Sequence, residues 1–161
     1  AVELNARVDS GGVVRGQGAV GERADLRTVS LEPPDAPACT ESIEAILSAD
    51  QVVLGPGSLY TSVLAATAVP GVAEAVRRTS ARVVYVCNLH PQVSETAGYG
   101  VADHVGALAR HGLIPEVVLY DPDTIRGADG VVGARGVRLA AANGLAHDPV
   151  LLGVALAALV A

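Results

Sequence analysis

Lysine is missing from this sequence, and all eleven basic residues are arginines. That absence excludes a Walker A phosphate loop, a Schiff-base enzyme and a Ser-Lys hydrolase together, since each needs an ammonium group. Phe, Trp and Met are missing too, so a core must be built from Val, Leu, Ala and a few Ile and Tyr. Such a core suits a buried β-sheet covered by Ala-rich helices. Only two cysteines occur, Cys39 and Cys87, far apart and in no CxxC pair. This argues against a disulfide framework or a cysteine zinc site and leaves a reducing cytoplasm as the expected location. No basic run interrupts a net charge of -6, so small molecules or proteins are expected as partners, not nucleic acid or an anionic membrane. No charged-then-apolar leader opens the chain. The apolar tail from Val150 to Ala161 is about half of the ~20 residues a bilayer span needs, and reads as a terminal packing helix.

What is present is a change of rhythm. Val2 to Val8 alternates apolar and polar residues, Asp9 to Gly12 signals a turn, and Val13 to Gln17 resumes, which predicts a β-hairpin. A short strand at Thr28–Leu31 ends in a Pro-rich linker reaching Pro37, and Thr40 opens a helix with an apolar face. Beyond it strands and helices alternate: a strand at Val52–Leu54, a helix after Ser58 and another over Val72–Thr79, then a strand at Val83–Cys87. A helix over Val101–Arg110 and a strand at Glu116–Tyr120 follow. A Gly-rich excursion, read as a surface loop, runs to Gly136; a strand at Val137–Ala140 and a last helix capped by Asp148 close the chain. With 161 residues and half of them hydrophobic, this is one α/β domain with a mainly parallel sheet and right-handed crossovers.

Ligands of open parallel sheets bind outside the carboxyl ends of the strands, so the loops after Leu54, Cys87 and Tyr120 are the candidates. In the first, Gly55 and Gly57 let backbone approach a ligand and Pro56 stiffens the turn. Ser58 is placed to cap a helix whose free N–H groups attract an anion, with Thr61 and Ser62 adding hydroxyls. The plain alternative is a strand-to-helix turn with a serine cap. A hydrolase nucleophile elbow is disfavoured, because Ser58 directly follows Gly57. The second loop gathers Asn88, His90, Gln92, Glu95 and Thr96, a polar cluster suited to a base or sugar, with Glu95 able to serve as acid, base or metal ligand. The alternative there is a capped helix start. His104 and His111, seven apart, share a helix face, with Asp103 beside the first, which usually means a solvated or half-buried surface. His147, Asp148 and Pro149 read as a helix start, and Cys87 as a buried thiol.

Leu54 to Val63, Val69 to Ala75 and Val84 to Leu89, followed in order by Gln92, Glu95-Thr96, Ala102-Asp103-His104 and His147-Asp148-Pro149, resemble the YvcK or gluconeogenesis factor family. The likeness covers nearly the whole chain. That family is similar to CofD, the 2-phospho-L-lactate transferase of coenzyme F420 synthesis. The resemblance implies a Rossmann-like three-layer fold to which the N-terminal hairpin is added. CofD-like proteins tend to carry Pro-Ser-Asn-Pro where this chain has Gly55-Pro56-Gly57-Ser58, so the likeness is stronger on the YvcK side. It implies a cytoplasmic protein that binds a nucleotide sugar such as UDP-N-acetylglucosamine and supports central carbon metabolism, cell-wall synthesis and cell shape. No catalytic activity is firmly implied. The first loop would hold phosphates, and Asn88, Gln92, Glu95 and Thr96 would contact the rest of the ligand, with Asp103 and His104 as further candidates.

The chain departs from the family at Ala65-Ala66, where Pro-Asn is usual, and at Pro91 to Thr96, where Thr-Gln-Pro-Gly-Glu-Thr is usual. The family's first strand and its Gly-Gly-Gly-Thr-Gly loop have no counterpart here. Residues 1–161 are therefore expected to be the C-terminal part of a single domain, with an exposed apolar sheet edge through which two copies could pair, and with weak or no nucleotide binding alone. The rival reading is a CofD-like transferase using Mg²⁺, with Glu95, Asp103, Asp121 and Asp123 as its candidate carboxylates. A third is a partner-docking domain without a ligand.

Overall fold

The computed structural model describes residues 1–160. The predicted hairpin is present as β1 (Glu3–Val8) and β2 (Val13–Arg15), joined antiparallel. A short helix α1 (Gln17–Gly21) follows, and β3 (Leu26–Glu32) returns along the other side of β1, so the hairpin is part of a three-stranded antiparallel sheet in the order β2-β1-β3. Leu4, Ala6 and Val8 of β1 and Leu26, Val29 and Leu31 of β3 are buried, so both strands turn an alternating apolar face inward.

The second half is the parallel sheet. Helix α2 (Thr40–Ser48) leads into β4 (Gln51–Leu54), and a π-helical turn (Leu59–Leu64) runs on into α3 (Ala65–Thr67). Next come α4 (Pro70–Arg78), β5 (Arg82–Val86), α5 (Val101–Arg110) and β6 (Val117–Tyr120). β7 (Ala134–Gly136) and α6 (Pro149–Ala157) complete it. The strands lie in the order β4-β5-β6-β7, each parallel to its neighbour.

Period-2 alternation along β5 divides the core. Val83, Tyr85 and Cys87 join one apolar cluster, shared with the antiparallel sheet, α4 and α5, while Val84 and Val86 join a second, against α6. Val118 of β6 lies in the first, and Val117 and Leu119 in the second. Covered on both faces, the sheet is the middle of three layers, which is why its strands read as unbroken apolar runs. β4 is an edge strand, and its Val53 is exposed.

Two expectations need correction. The last strand is Ala134–Gly136, not Val137–Ala140; beyond it Val137 N bonds to the Tyr120 carbonyl at 2.9 Å and Ala140 forms an isolated bridge with His147. The Gly-rich stretch up to Gly136 is thus no simple surface loop. Its Gly133, at φ +75, packs so tightly that a Cβ there would collide with the Glu116 carbonyl, while its own carbonyl accepts from Val118 N at 3.0 Å. Glycine is what lets this segment close on β6.

Candidate functional site

At the carboxyl ends of β4 and β5 the chain leaves a cleft of about 510 Å³. Its walls are Pro56 to Ser58, Asn88 to Gln92, and Leu145 to His147. This is where an open parallel sheet presents its ligand site, and the size falls within the ~300–1,000 Å³ of small-molecule pockets. A smaller depression of about 280 Å³, between Val76 and Glu116, borders the opposite end of the sheet and lacks that placement.

The first wall is shaped by backbone. Gly55 stands at φ +81 and is followed by a cis bond to Pro56; a side chain at position 55 would press on the Val86 carbonyl. Only glycine accepts both demands. Gly57 differs: it has no positive φ, and an added Cβ would meet only Ser62 Cβ at 3.8 Å. Its hydrogen-for-side-chain economy is not required by the fold and leaves the cleft wall low.

Ser58 does not cap the following helix as expected. That helix opens as a π turn, and the Ser58 hydroxyl accepts instead from Gln92 Nε2 at 2.9 Å. Nor are the first N–H groups free. Tyr60 N donates to Glu95 Oε2 at 3.1 Å and Thr61 N at 3.4 Å, and the Thr61 hydroxyl donates to Glu95 Oε1. Asn88 Oδ1 accepts from Gly57 N at 3.2 Å. Asn88, Gln92 and Glu95 thus all cross from the second loop to the first, and Thr96 braces its own loop by accepting from Gln92 N at 2.8 Å.

Of the residues singled out from the sequence, Pro56, Gly57, Ser58, Asn88 and Gln92 line the cleft. Gly55 shapes it from behind, while Thr61, Glu95 and Thr96 are turned away from it and Ser62 is exposed elsewhere. Asp103 accepts from Gly100 N at 2.8 Å, bracing the start of α5. His104 is in the core, beside Tyr85 and Tyr99; its Nδ1–H donates to the Gly100 carbonyl at 2.9 Å, and burial lowers its pKa against the opposing pulls of that carbonyl and Asp103. His111 is not a solvated partner of His104 but is half-buried: Nε2 accepts from Val29 N at 2.9 Å and joins α5 to β3.

The third wall is the part that sequence reasoning missed. His147, read as part of a helix start, reaches back into the cleft, where Nε2–H donates to the Cys87 carbonyl at 3.3 Å. Burial lowers its pKa, opposed by that hydrogen bond and by Asp121. His90 ties the second wall to the third by donating to the Gly144 carbonyl at 2.8 Å. Asp121 sets the third wall from below. Its buried carboxylate accepts from Leu139 N at 2.7 Å, Ala140 N at 2.9 Å and Asp123 N at 3.0 Å, and Ala140 pairs with His147. The available sequence signal was Asp121 at a strand end followed by His147-Asp148-Pro149, but only the fold brings them together. Among the described residues no arginine lines the cleft, so its polarity comes from amides, hydroxyls and histidines.

The carboxylates considered for a metal do not converge. Glu95 and Asp103 are engaged with backbone N–H groups on different segments and Asp121 with three more, and among the described residues no group of three His, Cys, Asp or Glu is arranged to hold an ion. No single helix among these residues is long and apolar enough to cross a membrane.

Comparison with known proteins agrees with this architecture. The family described as "2-phospho-L-lactate transferase CofD" matches residues 1–136. The chain is 38% identical over 121 residues to the gluconeogenesis factor of Halalkalibacterium halodurans, covering 73% of this chain and 38% of that protein. It is 38% identical over 126 residues to the gluconeogenesis factor of Bacillus subtilis, covering 76% and 40%. A crystal structure of a UPF0052 family member from Bacillus halodurans superposes with a TM-score of 0.85 at 30% identity, over 99% of this chain and 58% of that one. The chain therefore spans about two-fifths of the length of these two curated relatives.

Proposed function

Because this chain belongs to the CofD family, with gluconeogenesis factors among its relatives, we propose that it binds a nucleotide sugar such as UDP-N-acetylglucosamine in the cleft. The observation that carries this reading is the set of neutral groups from two strand-end loops, Gly57, Ser58, Asn88 and Gln92, facing one cleft at the carboxyl end of a parallel sheet. Low walls and hydroxyl and amide groups suit the phosphates and sugar hydroxyls, and the exposed Leu145 offers an apolar surface to a flat base. The protein is then a cytoplasmic ligand-sensing regulator of central carbon metabolism, cell-wall synthesis and cell shape.

The transferase reading draws on the family description but lacks support from the donor set, since Glu95, Asp103 and Asp121, three of its four candidate carboxylates, are spent on backbone N–H groups in separate places. Titration calorimetry separates the two. UDP-N-acetylglucosamine, with GDP as control, would be titrated into this chain alone and into the chain extended upstream by a strand and Gly-rich loop of the kind the family carries. Selective, Mg²⁺-independent binding of the UDP sugar to the extended protein is expected, with little binding to the chain alone. Preference for GDP with Mg²⁺ would favour the transferase, and silence from both ligands would remove the nucleotide reading.

A further inference from the structure

Glu95 is a buried carboxylate, 4% exposed, without a cationic partner: among the described residues the ion pairs are Arg23–Asp25 and Arg77–Glu74. Such a group is costly to bury unless hydrogen bonds replace its water. Here they come from the start of the helix that runs from Leu59 to Thr67, through Tyr60 N, Thr61 N and the Thr61 hydroxyl. Donors pointing out of a helix start, with the helix dipole behind them, form a place for an anion. α1 closes the site from outside: Gly21 lies where an added Cβ would be 3.7 Å from Glu95 Oε1, and its carbonyl accepts from the neighbouring Ser94 hydroxyl at 2.5 Å.

We propose that Glu95 is a positioning residue whose carboxylate fills this anion place from within the chain, so that the first loop is held in shape before any ligand arrives. Its oxygens touch the helix start and not the cleft, which sets its role apart from those of Asn88 and Gln92. If the nucleotide reading of the cleft is right, a second consequence follows and rests on it: the ligand's phosphates meet the Ser58 hydroxyl, which accepts from Gln92 and keeps its own proton to donate, because the N–H groups of Gly57, Tyr60 and Thr61 are already taken.

The test is chemical rescue followed by thermal melting, with no nucleotide present. Glu95→Ala is expected to melt roughly 5–10 °C below the parent, as loss of a charged acceptor from several donors should do in a chain of this size. Sodium formate, small enough to enter the vacated space, should raise the melting point of Glu95→Ala saturably, while the parent and Glu95→Gln respond no more than they do to sodium chloride at the same ionic strength. Equal responses to formate in all three proteins, or a Glu95→Ala protein as stable as the parent, would overturn the assignment. Should Glu95→Ala not fold, the cycle of Glu95→Gln, Thr61→Val and the double variant decides: coupled losses are expected, and simple additivity refutes the proposal. Because these melts contain no nucleotide, their outcome is independent of the calorimetry that tests the cleft.

Discussion

The Val86 carbonyl faces Gly55 so closely that a Cβ at position 55 would stand 3.0 Å from its oxygen. Two residues later the same loop is open, and Gly57 has only Ser62 Cβ within reach of an added methyl. One motif therefore contains a glycine the fold demands and a glycine the fold does not.

This contrast predicts a separation of stability from binding. Gly55→Ala forces an L-residue into the left-handed region and against a carbonyl, and should cost about 2 kcal/mol or more. Gly57→Ala should change stability by less than about 1 kcal/mol and weaken UDP-sugar binding by raising the cleft wall. Urea unfolding and calorimetry of both variants in the upstream-extended protein check this. A Gly57→Ala protein that binds as tightly as the parent would remove the loop from the ligand site.

A pH dependence follows from three histidines. Burial lowers the pKa of His104, His111 and His147, and for His111 the nearby Arg110 adds to the shift while the Ala107 carbonyl opposes it. Since the folded values lie below the ~6.5 of an unfolded histidine, the unfolded chain binds more protons between the two. The stability gained from neutral rings is thus fully present above about pH 6.5 and is lost as pH falls through the folded values. Urea midpoints should drop between pH 7.5 and pH 5.5. His111→Gln, which retains an acceptor for Val29 N but does not titrate, should flatten that fall.

Much of this architecture is legible in the residues because local and tertiary signals agree. The helix over Val101–Arg110 is found with the limits predicted, its apolar period intact, and Asp148 caps α6 by accepting from Val150 N and Leu151 N. The misses occur where distant contacts decide. A strand as short as Ala134–Gly136 has almost no pattern of its own and exists because β6 pairs with it. β3 is recognisable as a strand, but its place beside β1 is a long-range choice. Ser58 has the composition of a cap, yet Gln92 holds its hydroxyl and Glu95 supplies the acceptor for the helix start, a substitution that no spacing within the first loop reveals. Both loops are recognisable in the sequence as neighbours of the sheet end; that Asn88, Gln92 and Glu95 bond to the first loop is visible only in three dimensions.

The thiols should differ sharply in reactivity. Burial pushes Cys87 up to about 12, against the opposing effects of Tyr85 and the Asn88 amide, whereas Cys39 is exposed. Since the thiolate is the reactive form, a disulfide reagent at neutral pH should modify one cysteine quickly and the second only on unfolding. Cys39→Ser should abolish the fast phase, and a fast phase that survives it would place Cys87 in contact with solvent.

Asp121 gives the strictest check on the link between fold and cleft. Burial works to raise its pKa, but the Leu139, Ala140 and Asp123 amides, helped by Arg138, outweigh it and hold the carboxyl below its usual range. Replacement by alanine leaves buried N–H groups unpaired and should cost about 3 kcal/mol. Asparagine keeps one acceptor oxygen but turns an NH₂ toward donors, and should cost less. The Ala140–His147 bridge lies directly beyond these amides, so either change should also loosen the wall carrying His147. Hydrogen exchange of the Ala140 and Asp148 amides reads that wall directly, the second through its bond to the Leu139 carbonyl at 2.7 Å. Faster exchange at both, with α5 unchanged, is the expected pattern for Asp121→Asn. Uniform acceleration would mean that Asp121 supports the whole sheet and has no particular hold on the cleft.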